Sequence, residues 1–494
     1  MSDVTEQPIS AHSWILDQAD IVSPYFPGKK FDIKNIVLDI DIFEHINKPY
    51  LTGMITVVDD SSLYSAINFR GVESIQLILR LPDGGFIPIT KQFYIDRVIT
   101  NQRANDQQAV LLLHITEDIG FISEYINVND AFTGKGSDII ETIAKRYFDK
   151  VVKMDRLVED IQPQMKIVVP NMTPIEALDW VKDRISSANG SPFYLYSTLA
   201  RPELFLSNFQ TMIFNPVNTT QPFRYSQALV NKDNLSLDDE MFIIENHHDN
   251  ETADISRLNE SAFVNAKYTF HDIVRNQMFT PGNTTVTSFQ EGYNTSGVGK
   301  RWTAHGLFGV KYFEGRPEST PFQQLANPYP ANARLPWKLS TDPSNQNSQE
   351  NPPIHERPES RSVTQVYASR QYGEDYRGYL EGRTDIEHMQ KIDAKAIRNW
   401  AITDPLTFTV PGRLFLNGQV NATIGYKYTV EFTTSIGELT FRDPRRSGDY
   451  MIYTARHSFA RDHGYRVHLT GIGIGQRGLQ SQDQIDSIPT IGPQ

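Results

Sequence analysis

The feature that most limits the folds open to this chain is a period-two alternation of apolar and polar residues near its N-terminus. Leu38, Ile40 and Ile42 are separated by Asp39 and Asp41. Such a pattern is typical of a β-strand with one face in a core and the other in water. The chain therefore begins its ordered part as a sheet protein.

The same kind of segment recurs through residues 31–117, separated by turn signals such as Pro82-Asp83-Gly84-Gly85. Further strands are predicted at Leu51–Val58, Ile75–Leu79, Phe93–Thr100 and Val110–Thr116. Short strands at this spacing favour a small barrel or sandwich. Residues 31–117 are accordingly predicted as a first β-barrel domain, after an N-terminal extension over 1–30.

Residues 118–250 mix helix and strand signals. Thr173-Pro174-Ile175-Glu176 is a capping box with proline at the first helical position, and it predicts a helix that ends at Asn189-Gly190. Ser137 is predicted to cap an earlier helix that reaches Phe148. A hairpin is expected at Phe193–Ser197 and Leu204–Ser207, which makes this a mixed α/β domain.

The C-terminal half contains a proline-rich stretch between segments with strand signals. Nine of the 28 prolines fall between Gly315 and Ser360, among Asn, Gln, Ser and Glu, and this composition cannot form a packed core. Strands are predicted around Tyr268 and, after a second capping box at Thr384–Glu387, in the C-terminal region. The predicted strands there are Leu406–Leu416, Tyr426–Phe432, Tyr450–Phe459 and Tyr465–Ile472.

Two predicted hairpins are similar to each other in sequence. Tyr94-Ile95 aligns with Tyr450-Met451, and Leu113–Thr116 aligns with Val467–Thr470. We therefore expect two related β domains in one chain. The predicted fold class is α+β and β-dominated, with two related small β-barrel domains flanking the mixed α/β domain. The predicted ranges are 251–293 plus 384–475 for the second barrel, 294–383 for a Pro/Asn-rich insertion and 476–494 for an extended C-terminal tail.

Composition excludes several classes of function. The 494 residues contain no cysteine, which rules out a disulfide framework, a thiolate metal site and a cysteine nucleophile. The net charge of −12 argues against affinity for a phosphate backbone. The apolar runs are too short for a membrane span, and the polar, acidic start does not resemble a signal peptide.

Candidate ligand sites are weak. Gly473-Ile474-Gly475-Gln476-Arg477-Gly478 has dinucleotide-binding spacing but ends a hairpin strand, and Gly297–Gly299-Lys300 lacks the other residues of a phosphate loop. His247-His248-Asp249 offers metal-ligand types, but neighbours on an extended segment point opposite ways. We interpret it as a polar loop. His457, His463 and His468 fall on the last hairpin, where His457 and His468 are candidate cross-strand neighbours.

Carboxylates give no selectable catalytic pair. Glycoside cleavage needs two acids across a cleft, and nothing singles out two of the acidic residues. Those considered are Glu73, Glu117, Glu124, Glu159, Asp160 and Glu245. We nominate no catalytic, cofactor-binding or metal-ligating residue, and no cofactor. A chain of this size without a reactive constellation favours a protein that holds other proteins. Its contacts are expected on strand faces and on the tail after Gly475.

Three segments together resemble a known family. They are Asp59-Asp60 with Leu63-Tyr64 and Phe69–Ile75; Val169–Trp180 with Pro192–Tyr196; and Phe408–Gly412 with Ser447–Ile452 and Arg456–Phe459. In this order they resemble the baseplate central hub proteins of contractile-tailed, T-even-like bacteriophages, whose fold also forms the base of type VI secretion spike proteins. The resemblance covers roughly residues 31–475 without the insertion.

The resemblance implies a structural, non-enzymatic protein of the virion tail baseplate, made in the host cytoplasm and used in host cell penetration. It implies a homotrimeric ring with pseudo-sixfold symmetry, a symmetry adaptor between a spike protein below and a tail tube or tube-initiator protein above. Other baseplate proteins are further expected partners. DNA passes through such a ring without specific binding. Two alternatives stay open: a tail-associated cell-wall-degrading enzyme and a glycan-binding adhesin.

Overall fold

The computed structural model describes part of the chain. These are residues 10–59, 63–84, 88–103, 109–154, 165–185, 193–208, 211–212, 216–225, 236–249, 266–272, 277–279, 361–367, 405–416, 423–436, 439–443 and 446–473. The predicted second capping box, the GxGxxG segment after Gly473, the C-terminal tail and most of the insertion lie outside the described residues.

Strands dominate the described part. They are β1 (Ile15–Val22), β2 (Lys30–Asp32), β3 (Val37–His45), β4 (Thr52–Asp59), β5 (Ser74–Arg80), β6 (Ile89–Arg103), β7 (Ala109–Glu117), β8 (Val128–Gly134), β9 (Val152–Met154), β10 (Met165–Met172), β11 (Phe193–Ser197), β12 (Leu204–Asn208), β13 (Phe223–Tyr225), β14 (Asn246–Asp249), β15 (Ala266–Asp272), β16 (Gln277–Phe279), β17 (Arg361–Tyr367), β18 (Pro405–Pro411), β19 (Lys427–Ile436), β20 (Leu439–Arg442), β21 (Gly448–Ala460) and β22 (Gly464–Gly473).

Helices are short and concentrated in the middle of the chain. They are α1 (Leu63–Ile67), α2 (Asp118–Ser123), α3 (Gly136–Phe148), α4 (Pro174–Lys182), α5 (Leu237–Glu240) and α6 (Arg413–Leu416). Among the described helices, none has the length and apolarity needed to cross a membrane.

One large sheet organises the molecule. Its main path runs β14-β18-β22-β21-β3-β4-β7-β6-β5-β1-β2, and β19 pairs with the start of β21. The alternation predicted from the sequence is present: β4 and β5 bury every second residue. One face of the sheet packs on a continuous apolar core that contains residues from both ends of the chain, such as Ile40 and Phe459. The opposite face stays half-exposed, as expected of an antiparallel sheet.

A second core belongs to the mixed region. Helices α2, α3 and α4 pack with β8 to β12 around residues such as Ile143, Leu178 and Leu206. The Thr173 capping box is confirmed, because its hydroxyl accepts from the Glu176 backbone and Glu176 accepts from Thr173 in return. Two helix ends differ from the prediction. Helix α4 ends at Lys182, and the residue before α3 is Lys135, without a side-chain cap from Ser137.

The prediction of a β-dominated fold with α/β elements is confirmed, but barrel closure is not. Within the described residues both β regions are parts of one open sheet. Strand β21 pairs with β3, which joins the two regions edge to edge. The predicted N-terminal extension over 1–30 also contains β1, which pairs with β5 along seven residues.

The long insertion interrupts a specific connection. Strands β14 and β18 are neighbours, and residues 250–404 lie between them in the chain. The described strands in this stretch, β15, β16 and β17, form a sheet of their own. The predicted insertion 294–383 thus lies in the connection between two paired strands, a position where a sheet tolerates added residues without loss of its register.

Candidate assembly surface

The large sheet contains the same strand order twice. Residues 37–117 supply β3-β4-β7-β6-β5, named here unit 1, and residues 246–473 supply β14-β18-β22-β21-β19, named unit 2. All neighbouring pairs within both series are antiparallel. Each strand of one unit thus has a counterpart with the same neighbours in the other.

Two independent features fix the equivalence residue by residue. A bulge falls after Ile95 in the β6–β7 hairpin and after Ile452 in the β21–β22 hairpin. The backbone N–H of Ile95 donates to the carbonyl of Glu73, 2.8 Å away, and that of Ile452 donates to Tyr426, 3.1 Å away. Glu73 and Tyr426 each precede the strand that pairs there. Ile95 therefore corresponds to Ile452.

This equivalence corrects the alignment made from the sequence. Tyr94 corresponds to Met451 and not to Tyr450, since each precedes the shared isoleucine. Leu113 corresponds to Leu469, because their partners Val98 and Ala455 are equivalent. The sequence match was displaced by one residue in the first strand and two in the second. Alternating patterns look alike at such shifts, so only pairing can decide among them.

The two units meet at one junction, where β21 of unit 2 pairs with β3 of unit 1. Seven residue pairs run from Thr454 opposite His45 to Ala460 opposite Asp39. The backbone N–H of Ile46 also donates to Tyr453, 3.1 Å away. Strands more than 400 positions apart in the chain are thereby joined by a continuous backbone ladder.

The core side of the junction carries a buried polar cluster. Nε2 of His457 lies 3.0 Å from Oε1 of Glu44, and both side chains are almost fully buried. The same carboxylate oxygen accepts from the backbone of Leu199, 2.6 Å away. Nδ1 of His457 is 2.8 Å from the hydroxyl of Tyr465. Burial, followed by the charge of Glu44, raises the pKa of Tyr465 well above its usual value, so its hydroxyl keeps a proton to donate.

The half-exposed side of the junction carries a different ion pair. Arg456 donates to both oxygens of Asp41, at 2.9 and 2.8 Å. On the neighbouring strand, burial and the charge of Arg456 lower the pKa of His468, whose Nδ1 contacts the Thr409 hydroxyl at 2.8 Å. Burial and the nearby carboxylates of Asp462 and Asp41 raise the pKa of Asp39.

The counterparts of the joined edges are open in this chain. Strand β6 pairs with β5 only from Ile89 to Tyr94, and on its other edge it pairs with β7 up to Arg103. Beyond Ile95 its outer edge has no partner strand among the described residues. Strand β14 pairs with β18, and no strand pairs with its other edge along Asn246–Asp249 among the described residues. Just before β14, Ile243 bridges Arg224 of β13. The edge of β6 in unit 1 is equivalent to that of β21 in unit 2, and the edge of β14 in unit 2 is equivalent to that of β3 in unit 1. Strands β21 and β3 pair with each other.

The residues that carry the family resemblance organise loops and close packing. Buried Glu73 accepts from the backbone N–H groups of Arg70, Gly71 and Val72, at 3.0, 3.0 and 3.2 Å. Gly71 has a φ of +83°, a conformation that favours glycine. A Cβ atom at Gly412 would overlap the ring of Tyr465. The described parts of these motifs therefore shape the loops and the close packing of the sheet.

The candidate ligand residues are separated. His247-His248-Asp249 lies in strand β14 and not in the predicted loop. The His247 ring packs 4.4 Å from that of Tyr225, while His248 is exposed. His457 faces the core and His468 the other side of the sheet, so the predicted cross-strand pair is not formed. The described residues contain no group of three His, Asp or Glu side chains that could hold a metal ion.

Two buried carboxylates, those of Glu117 and Glu44, join parts of the molecule and were not predicted from the sequence. Glu117 accepts from Lys91 Nζ at 3.1 Å, from the Leu51 backbone at 2.9 Å and from the Ser197 hydroxyl at 3.2 Å. It joins unit 1 to the mixed region. A signal existed for Glu44, which occupies an inward position in the alternation of Ile40 and Ile42. A charged residue at such a position indicates a buried partner.

Comparison with known proteins gives structural likenesses only. No protein-family model matches the sequence, and no curated protein matches it either. The chain is similar to a 43 kDa tail protein of prophage MuSo2 from Shewanella oneidensis, at 10% identity and a TM-score of 0.46, over 92% of this chain and 98% of that one. It is similar to a tail protein from Neisseria meningitidis MC58, at 11% identity and a TM-score of 0.42, over 93% and 96%.

A third likeness is to an E. coli component of the type VI secretion system, described as structurally similar to two T4 bacteriophage tail proteins. The identity is 8% and the TM-score 0.38, over 94% of this chain and 78% of that one. The proteins named are of the kinds that the sequence motifs resemble. At TM-scores below 0.5, these likenesses by themselves decide neither the fold nor the role of this chain.

Proposed function

We propose that this protein is the structural hub of a phage-type tail baseplate. In this proposal three chains form a ring with pseudo-sixfold symmetry, which joins a cell-puncturing spike to the tail tube. The observation that carries it is the duplicated strand order of units 1 and 2. Two equivalent units per chain make three chains present six similar faces to a sixfold partner. The number three comes from the family resemblance.

The sheet also suits the lining of a channel. One face is covered by the chain's own core, so the half-exposed face is the one available to line a bore. Two arginines at its unit 2 end are paired with carboxylates: Arg456 binds Asp41, and Arg466 binds Glu245 at 2.7 Å. Phosphate affinity needs available cations, so we propose that DNA crosses this surface without binding to it.

The proposed role is to hold neighbours and not to catalyse a reaction. The ring-forming parts are units 1 and 2, while the domain limits predicted from the sequence stay predictions. Spike, tube or tube-initiator and other baseplate proteins are the proposed partners, in the virion tail. The cell-wall-degrading alternative is tested by adding the purified chain to isolated cell wall. Release of soluble fragments would contradict a purely structural role.

The decisive experiment is the mass of the chain in solution, alone and co-expressed with its spike protein. Light scattering after gel filtration is expected to give about three times 56.3 kDa for the hub part of the assembly. The control is a spike protein that lacks the end expected to bind the hub, and this spike should not change the mass of the free hub. A monomer of 56.3 kDa at all concentrations, with and without spike, would overturn the proposal.

A further inference from the structure

We infer that the outer edge of β6, from Arg97 to Arg103, pairs antiparallel with β14 (Asn246–Asp249) of a second copy of this chain. The inference rests on the proposed ring and specifies how one copy binds the next. It follows from the junction that the chain already contains, in which β21 pairs with β3. Strand β6 is the counterpart of β21, and β14 is the counterpart of β3.

The register of this contact can be derived position by position. Ser458 pairs with Arg466 and Gln102 with Val110, and the equivalence of β22 with β7 makes Ser458 the counterpart of Gln102. Similarly, Asp41 pairs with Met54 and His248 with Thr407, which are equivalent positions of β4 and β18. The internal pair Ser458–Asp41 therefore predicts an intermolecular pair Gln102–His248.

The neighbouring pairs follow from the antiparallel direction. Asn101 falls opposite Asp249, and Arg103 falls opposite His247. One edge belongs to unit 1 and the other to unit 2, so the contact joins different surfaces of the two copies and is head-to-tail. A heterologous contact of this kind closes a ring when the rotation between units divides a full turn. The repeat of one contact, inside chains and between them, would make all the unit boundaries alike.

The two edges have features of surfaces that bind a specific partner strand. Among the described residues, no strand pairs with the outer edge of β6 beyond Ile95 or with that of β14, and an open strand edge is the template for adding a strand. Strand β14 is four residues long, and both Asn246 and His248 are exposed on it. A short polar edge resists unspecific pairing with other proteins.

The absence of cysteine allows a direct test by disulfide trapping. Directly opposed residues in antiparallel strands have Cα atoms about 4.5–5.5 Å apart, within reach of a disulfide. In the assembled hub with its spike, the double variant Gln102→Cys with His248→Cys is oxidised and run on a denaturing gel without reductant. Bands of two and three linked chains are expected, and reductant should return them to one chain.

Two matched variants control for register and for chemistry. Gln102→Cys with Asp249→Cys shifts one partner by a single residue, which turns its side chain to the other face, and should give few linked chains. Asp41→Cys with Ser458→Cys tests the internal counterpart and should form a disulfide within one chain, without bands of higher mass. Hydrogen exchange of the unsubstituted chain gives a second measurement: amides of 97–103 and 246–249 should become protected on assembly.

The outcomes separate the inference from the proposed function. A trimeric mass with linked chains only for the 102/248 pair, or with protection of both edges, supports the inference. A trimeric mass without linkage and without protection overturns the edge pairing and leaves the ring standing. Equal linkage by the shifted pair overturns the register. A monomeric mass in the presence of spike overturns both.

Discussion

The joined edge at β21–β3 and the open edges of β6 and β14 are equivalent positions under different constraints. The joined edge carries a buried Glu44–His457 contact and, on its other face, an Arg456–Asp41 ion pair. The open strand β14 instead exposes Asn246 and His248. A contact inside one chain forms as the chain folds, so the core side of the joined edge can contain buried polar groups. An edge that meets its partner later must remain compatible with water.

The largest effect should come from Glu117, which joins unit 1 to the mixed region and has no carboxylate at the equivalent position of unit 2. Glu117 ends β7, and the equivalent end of β22 is Gly473. Glu117→Ala would leave the Lys91 ammonium buried without its carboxylate. Removing one partner of a buried ion pair costs about 3–5 kcal/mol of unfolding free energy. Urea unfolding would measure it.

Glu124→Ala is the matched control, because Glu124 is an exposed acid in the same segment. Its effect should stay within about 0.5 kcal/mol. An equally small effect of Glu117→Ala would show that Glu117 does not secure unit 1.

The second effect concerns the core side of the junction. Glu44→Ala removes the acceptor of the Leu199 backbone and the neighbour of His457, both buried. Unsatisfied buried groups cost about 1–3 kcal/mol, and the midpoint of thermal unfolding should fall accordingly. His248→Ala on the open edge should leave the free chain within about 0.5 kcal/mol. Equal losses for the two variants would contradict the difference drawn between joined and open edges.

A smaller effect is expected on the half-exposed side of the junction. Arg456→Ala should cost about 0.5–1 kcal/mol, because exposed ion pairs are weakened by water and salt. Arg456→Lys keeps the charge but cannot bind both oxygens of Asp41, and should recover only part of the loss. The difference between the variants, measured in urea at low and at 1 M salt, should shrink at high salt. A loss that is independent of salt would point to packing of the arginine stem instead.

The smallest effect is a pH dependence at His468. Burial and Arg456 lower the pKa of this imidazole below its ordinary 6.5, so the unfolded chain takes up the proton first. The unfolded state then binds more protons, and stability is lost as the pH falls below about 6.5. Unfolding free energies of the natural chain and His468→Gln should therefore converge or cross between pH 7 and pH 5. Parallel curves would show that His468 titrates alike in both states.

Local elements could be predicted from the sequence pattern. Alternation in Leu38–Ile42 located a strand, and the Thr173–Glu176 capping box located the start of a helix, since these signals depend on residues a few positions apart. It also indicated the recurrence of a hairpin and the position of an insertion. The motifs Phe69–Ile75 and Phe408–Gly412 carried the family resemblance through their loop and packing requirements.

The choice of neighbouring strands and their register, in contrast, depends on contacts between distant parts of the chain. Backbone hydrogen bonds are the same for every residue, so no pattern in β21 or β3 announces that residues 454–460 pair with residues 39–45. For the same reason the hairpin alignment from the sequence was displaced, and His457 was wrongly paired with His468. A shift by one residue leaves the alternation of an amphipathic strand unchanged, although it exchanges the two faces of the sheet.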